Sequence, residues 1–264
     1  MLKFAANLTF LYSELDFMAR FAAAARSGFR GVEYLFPYAY PKDQLAETLQ
    51  KNNLQQVLHN LPAGRWDAGE RGVACHPDRV AEFKEGVDQA IEYATALGCT
   101  QVNCLVGIPP SGISSEQANE AVVTNLQYAA PRLAKSGIRL LIEPINTYDI
   151  PGFFLRTTAQ ALAIMDQVGD ANLYLQYDIY HMHMMEGNLA DTMAKNLNRI
   201  AHVQVADVPG RHEPGTGEIR YDFLFQHLNK IGYSGWIGCE YKPLAATEAG
   251  LAWMAHAAAA SSRG

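Results

Sequence analysis

Glu143 closes the run IRLLIEP (138–144), a charged side chain at the end of a stretch that otherwise reads as the middle of a buried sheet. Three later runs behave alike. LYLQYD (173–178) ends on Asp178, AHVQVAD (201–207) carries Gln204, and GWIGCEY (235–241) reaches Glu240. A carboxylate with apolar neighbours beneath it is costly to strip of water unless a cation or hydrogen bonds compensate. Three carboxylates and an amide oxygen are hard donors, a set that suits Mg2+ or Mn2+ better than thiolate-rich or imidazole-rich sites do. A single glutamate in such a place would read as a helix cap or an ion-pair partner. Three carboxylates on neighbouring runs, none followed directly by Lys or Arg, point instead to a bound divalent cation.

The histidines and basic residues extend the set. Asp178 and His181 stand in DxxH spacing within YDIYHMHMMEGN, which places His181 where it would orient a substrate and leaves His183 to an exposed loop. His59 ends VLHN and reads equally as a substrate contact or as a hydrogen-bonded core residue. Asn7, Glu33 and Asn103 also stand at the ends of apolar runs. His202 precedes Gln204 by two, so on a strand both face one side, with His202 a layer lower. The loop PGRHEPGTGE (209–218) reads as a phosphate cradle or, since GTG spacing is a weak signal, as a rigid turn that positions Arg211, His212 and Glu213. A second loop, NLPAGRWDAGERG (60–72), carries Arg65, Trp66 and Arg71 and is long enough to close over a substrate. Lys242, two residues after Glu240, either shares its face or reaches solvent. Lys242, Arg65 and Arg211 are the candidate partners for a substrate carboxylate.

These residues need a scaffold that presents strand ends side by side. Eight branched or aromatic runs are legible: 3–8, 31–36, 54–60, 101–106, 138–144, 173–178, 201–207 and 235–241. Each is followed by a segment of helical periodicity: 16–28, 43–53, 79–98, 115–137, 158–169, 188–199, 221–232 and 247–260. Pro131 predicts a bend in the fourth helix. Eight near-equal units in 264 residues match the size of one strand–helix step. The expectation is one (β/α)8 TIM barrel spanning residues 1–264, with its site at the carboxyl ends of the strands. An open doubly wound sheet is disfavoured, because no GxGxxG follows the first strand. The alanine-rich tail AAAASSRG (257–264) is expected to fray.

Composition narrows the function. The 21 basic and 27 acidic residues give a formal charge of −6, which disfavours a nucleic-acid partner. No apolar run approaches the roughly 20 residues needed to cross a bilayer, so no membrane partner is expected. Cys75, Cys99, Cys104 and Cys239 lack CxxC spacing, and the start MLKFAANLTF lacks a signal-peptide core. A reducing, cytoplasmic setting is expected. Oligomeric state, homo-oligomers included, is left open.

LHNLPAG (58–64), LLIEPIN through DIPGF (140–153), YDIYHM (177–182), AHVQVAD, HEPGTGEI (212–219) and GCEYKP (238–243) closely resemble the hydroxypyruvate isomerase family, a member of the xylose-isomerase-like barrels. The likeness spans nearly the whole chain. It implies interconversion of hydroxypyruvate and tartronate semialdehyde, with Glu143 and Glu240 shuttling the proton. It also implies a divalent cation at Glu143, Asp178, Gln204 and Glu240. Related sugar 3-epimerases carry a histidine where this chain has Gln204, so weaker metal binding is expected here. Neighbouring readings are a 2-oxo-tetronate isomerase or a ketose 3-epimerase. In other classes stand a DNA-repair endonuclease, which needs histidine-rich zinc ligands and a basic face, and a non-catalytic sugar-acid binding module.

Overall fold

The structure is a computed structural model describing residues 2–255. The tail expected to fray, and the last residues of the run 247–260, lie outside the described residues. In chain order the elements are β1 (Lys3–Asn7), α1 (Phe17–Arg26), β2 (Gly31–Glu33), α2 (Lys42–Lys51), β3 (Gln55–Asn60), α3 (Val80–Leu97), β4 (Gln101–Cys104) and α4 (Ser115–Ala134). There follow β5 (Arg139–Ile142), α5 (Thr158–Val168), β6 (Leu173–Asp178), α6 (Ile179–Met185), α7 (Leu189–Lys195), β7 (Ile200–Val205), α8 (Tyr221–Lys230) and β8 (Trp236–Cys239). The strands join in sequence order into a closed barrel, the (β/α)8 architecture read from the eight repeats. No helix among the described residues is long and apolar enough to cross a membrane.

Local chemistry sets the boundaries. α4 opens on a reciprocal capping box between Ser114 and Gln117, and α5 on the Thr157 hydroxyl, which accepts from the Gln160 N–H at 3.2 Å. Pro131 lies inside α4 but only three residues from its end. Several strands stop earlier than their apolar runs: β2 at Glu33, β4 at Cys104, β5 at Ile142 and β8 at Cys239. Past these points the chain turns into the loops, and at β5 Pro144 has no N–H to continue a ladder. The helix α6 was not legible as such. Asp178 caps it, its Oδ1 accepting from the Tyr180 N–H at 2.8 Å.

By packing, the described residues form two compact units, one of residues 2–34, 47–57 and 177–255, the other of 35–46 and 58–176. In the first, β7, β8, β1 and β2 pair in parallel, with Gln204 beside Gly238, Ala5 beside both Gly238 and Gly31, and Asn7 beside Glu33. One face therefore carries Asn7, Glu33, His202 and Gln204, and the other carries Ala6, Val32, Val203, Val205, Ile237 and Cys239, all buried. His202 and Gln204 on β7 hydrogen-bond Glu33 on β2, although β8 and β1 separate them in the ring. Only the inside of a closed sheet allows that, so the polar face is the barrel interior and the apolar face meets the helices.

The second unit repeats the pattern. Asn60 on β3 pairs with Asn103 on β4, and their side chains bond at 3.2 Å, while His59 and Val102 pair on the opposite face. Its loops are closely fitted. Gly72 has φ +120°, and a Cβ there would lie 2.0 Å from the Leu105 carbonyl oxygen; Gly107, at φ +102°, would meet the Gly72 oxygen at 2.3 Å. Replacing Gly72 with Ala combines a disfavoured backbone angle with a backbone clash. We expect Gly72→Ala to lower stability by about 2–3 kcal/mol, read as a fall in denaturant midpoint with an unchanged m-value.

Candidate active site

The first unit gathers its site from the carboxyl ends of β1, β2, β7 and β8. Asn7 Nδ2 donates to Glu33 Oε1 at 3.0 Å and to Glu240 Oε2 at 2.9 Å. Gln204 Nε2 donates to the same two oxygens at 2.8 and 2.7 Å. His202 Nε2 lies 2.7 Å from Glu33 Oε2, and Arg211 Nη2 lies 2.5 Å from Glu240 Oε1. All these residues except Arg211 are buried; its side chain is 15% exposed. Burial pushes the Glu240 carboxyl well above the usual carboxylate range; the Arg211 cation opposes this, and the charges of Asp178 and Glu33 add to it.

Arg211 is aimed by the loop after β7. It adopts a left-handed φ of 59°, and its guanidinium lies over the rings of Phe10 and Tyr180, 5.1 and 5.0 Å from their centroids. The loop is organised around Asp207, whose Oδ1 accepts from the N–H groups of Val208 and Ile219 and whose Oδ2 accepts from Gly215. Within the candidate cradle 209–218, the Gly215 amide is thus committed to the Asp207 carboxylate. Glu213 ties the segment to the chain after β8 by accepting from the Leu244 N–H at 3.0 Å. Lys242 joins through its backbone, its N–H donating to the Arg211 carbonyl, while its side chain is exposed.

Asp178 presents a different surface. With Oδ1 committed to the α6 cap, Oδ2 is buried and has no hydrogen bond; His181 Nε2 lies 3.5 Å from it and Arg211 Nη2 3.7 Å. Burial raises its pKa to about 6, with the Arg211 cation pulling the other way. His181 is buried too, and burial followed by the nearby Arg211 charge pushes it well below its ordinary value. It is therefore a neutral imidazole near pH 7.

In the second unit, Asn103 Nδ2 donates to Glu143 Oε2 at 2.9 Å as well as to Asn60 Oδ1. The remaining sequence candidates there lie apart from this chain of amides. Alternation turns His59 to the opposite face from Asn60, its ring edge-on to Tyr38 at 6.1 Å. Both His59 nitrogens are buried without a hydrogen-bond partner, and burial lowers its pKa to about 3. The side chain of Arg65 is 80% exposed and paired with Glu70 at 3.1 Å, on the rim of a cleft of about 550 Å3 that Phe36, Tyr38 and Trp66 also line. Arg71 stacks on Trp66 at 4.1 Å.

Residues that could hold a cation are present. In the first unit Asp178 Oδ2 and His181 Nε2 lie 3.5 Å apart, each able to offer one ligand atom. The unbonded Asp178 Oδ2 and the oxygen-rich donor set fit Mg2+ or Mn2+. His181 was expected as a substrate contact; the geometry groups it with the possible ligands. Gln204, expected as a cation ligand, turns its nitrogen to Glu33 and Glu240. Sequence reading put Asn7, Glu33 and Asn103 at strand ends without giving them a role, and it missed Asn60. The period-two spacing that links Gln204 to His202 was the available signal that a buried partner stood across the barrel.

The family described as xylose isomerase-like TIM barrel matches residues 21–257. The chain is 58% identical to a protein of Escherichia coli named hydroxypyruvate isomerase, covering 96% of this chain and 98% of that one. It is 44% identical to a 2-oxo-tetronate isomerase of Cupriavidus necator, over 96% and 97% of the two chains. A solved structure named AP endonuclease, family 2, from Brucella melitensis superposes with a TM-score of 0.94 at 44% identity, over 97% of this chain and 98% of that one. With its closed barrel and its match to relatives along nearly its full length, this chain belongs to the hydroxypyruvate isomerase family of xylose isomerase-like TIM barrels.

Proposed function

We propose that this protein interconverts hydroxypyruvate and tartronate semialdehyde, with Glu143 and Glu240 as the acid/base pair. The observation that carries the reading is that Glu143, Asp178 and Glu240, closing or following β5, β6 and β8, are all buried, a costly placement for carboxylates. The 58% identity to a hydroxypyruvate isomerase supports the substrate. The whole chain, 1–264, is read as one barrel domain, supported by the closed strand order. Four free, buried cysteines among the described residues favour a cytoplasmic setting.

The reaction moves a carbonyl to the neighbouring carbon. One carboxylate removes a proton from the hydroxyl-bearing carbon to give an enediolate. A proton returns to the former carbonyl carbon, and a second passes between the two oxygens. A carboxyl whose pKa is raised toward working pH is suited to give as well as take a proton, and burial acts on Glu240 in that direction. Asn103 donates to Glu143 and fixes its orientation. Arg211, held between two aromatic rings, is the best-placed cation for the substrate carboxylate. Arg65 and Lys242 are exposed and would reach a substrate only by moving, and His59 faces the helix layer. A divalent cation held by Glu143, Asp178, Gln204 and Glu240, with His181 beside it, would supply Lewis-acid stabilisation of the enediolate oxygens.

A second reading, a 2-oxo-tetronate isomerase, is favoured by the 44% identical relatives of that name. A nucleic-acid substrate, which the name of the Brucella protein suggests for that protein, would call for a basic face. This chain has 27 acidic against 21 basic residues.

Three measurements test the proposal. Glu240→Gln keeps the shape and removes the acid/base group, so turnover should fall at least ~100-fold with thermal unfolding little changed; near-normal turnover refutes the role. Chelation followed by Mg2+ or Mn2+ should lower and then restore activity, and rates unchanged after verified metal removal exclude a catalytic cation. On a panel of hydroxypyruvate, 2-oxo-tetronate and four- to six-carbon ketoses in deuterated water, kcat/KM should be highest for hydroxypyruvate, with deuterium entering carbon. Absence of both turnover and exchange for every compound would reduce the protein to a binding module.

A further inference from the structure

Glu33 is buried at the end of β2, 1% exposed, and both of its oxygens are engaged by side chains. Oε1 accepts from Asn7 Nδ2 and Gln204 Nε2, and Oε2 faces His202 Nε2. The same two amide nitrogens donate to Glu240 Oε2 at 2.9 and 2.7 Å. A primary amide has two N–H bonds, and here each amide points one at Glu33 and one at Glu240, which closes a ring of two donors and two acceptors. A carboxylate only accepts, so Glu33 dictates which end of each amide faces inward. If Glu33 were a donor, either amide could turn over and release Glu240.

Space for this arrangement comes from β8. A Cβ on Gly238 would lie 2.3 Å from Glu33 Oε1 and 2.4 Å from Oε2. Gly238 has an ordinary φ, so the backbone does not require glycine there. The missing side chain is the volume that the Glu33 carboxylate fills.

We propose that Glu33 is a positioning residue for Glu240: through the amides of Asn7 and Gln204 it fixes one oxygen of the Glu240 carboxylate and leaves the other to Arg211 and the reacting proton. This rests on Glu240 being an acid/base group. Glu33 does not touch substrate; it holds in place the group that does.

Three single variants and one double variant test the idea on the intact protein, with hydroxypyruvate as substrate at saturating Mg2+. Glu33→Gln is isosteric and sets a donor against donors. It should lower kcat about 10- to 100-fold, the usual effect of removing an orienting partner, while KM stays within about threefold. Gly238→Ala keeps every hydrogen-bonding group but crowds the Glu33 carboxylate, and should reproduce the fall in kcat. It serves in place of Glu33→Gln if that variant does not fold. Glu33→Gln combined with Glu240→Gln should be no slower than Glu240→Gln alone, because the first acts only through the second. Glu33→Gln and Gly238→Ala both retaining kcat within twofold, or multiplicative losses in the double variant, overturn the inference while leaving the isomerase reading intact. Near-normal turnover in Glu240→Gln alone removes the reading and this inference together.

Discussion

Buried carboxylates govern this structure. An ionised carboxyl moved from water into a protein interior loses several kcal/mol of hydration, and Glu33, Asp178 and Glu240 are each nine-tenths or more buried. The fold answers with donors. Asn7, Gln204, His202 and Arg211 converge on Glu33 and Glu240, and Asn103 performs the same service for Glu143. These donors are mostly neutral amides, which stabilise a carboxylate without cancelling its charge. One oxygen, Asp178 Oδ2, has no hydrogen bond. A barrel whose interior was filled with branched apolar residues would be simpler to stabilise. Polar groups at the strand tops are the compromise a site in this place requires.

The barrel was legible because its pattern is repeated. Apolar runs of strand length alternated with helical segments eight times, and each repetition reinforced the last. Glu143, Asp178, Gln204 and Glu240 stood out because a polar residue closing or following an apolar run is an exception to the pattern. The Pro- and Gly-rich composition marked the loop around Arg211, but the Asp207 carboxylate that gathers three N–H groups in it belongs to folded geometry.

Other features were hidden for physical reasons. Runs such as 31–36 overstated β2, which stops at Glu33 although the Leu35 carbonyl still accepts from the Asn60 N–H at 2.9 Å. His59 and Asn60 are adjacent polar residues at one strand end, and alternation sends only one inward; which one depends on a register that a lone run does not specify. Lys242, two residues past Glu240, would share its face on a continuing strand, but β8 has already ended at Cys239. The partnership of Glu33 with residues on β7 and β8 crosses more than 160 positions of sequence, and nothing local announces it.

The turn that carries Arg211 has one more implication. Asp207 acts as an internal counter-ion, giving the peptide groups around it the negative charge that an incoming ligand might otherwise have to provide. The guanidinium is held by the fold itself, over the rings of Phe10 and Tyr180 and against Glu240. Were a small anion to bind there, as proposed, little ordering entropy would remain to be lost, and charge and fit would decide the encounter.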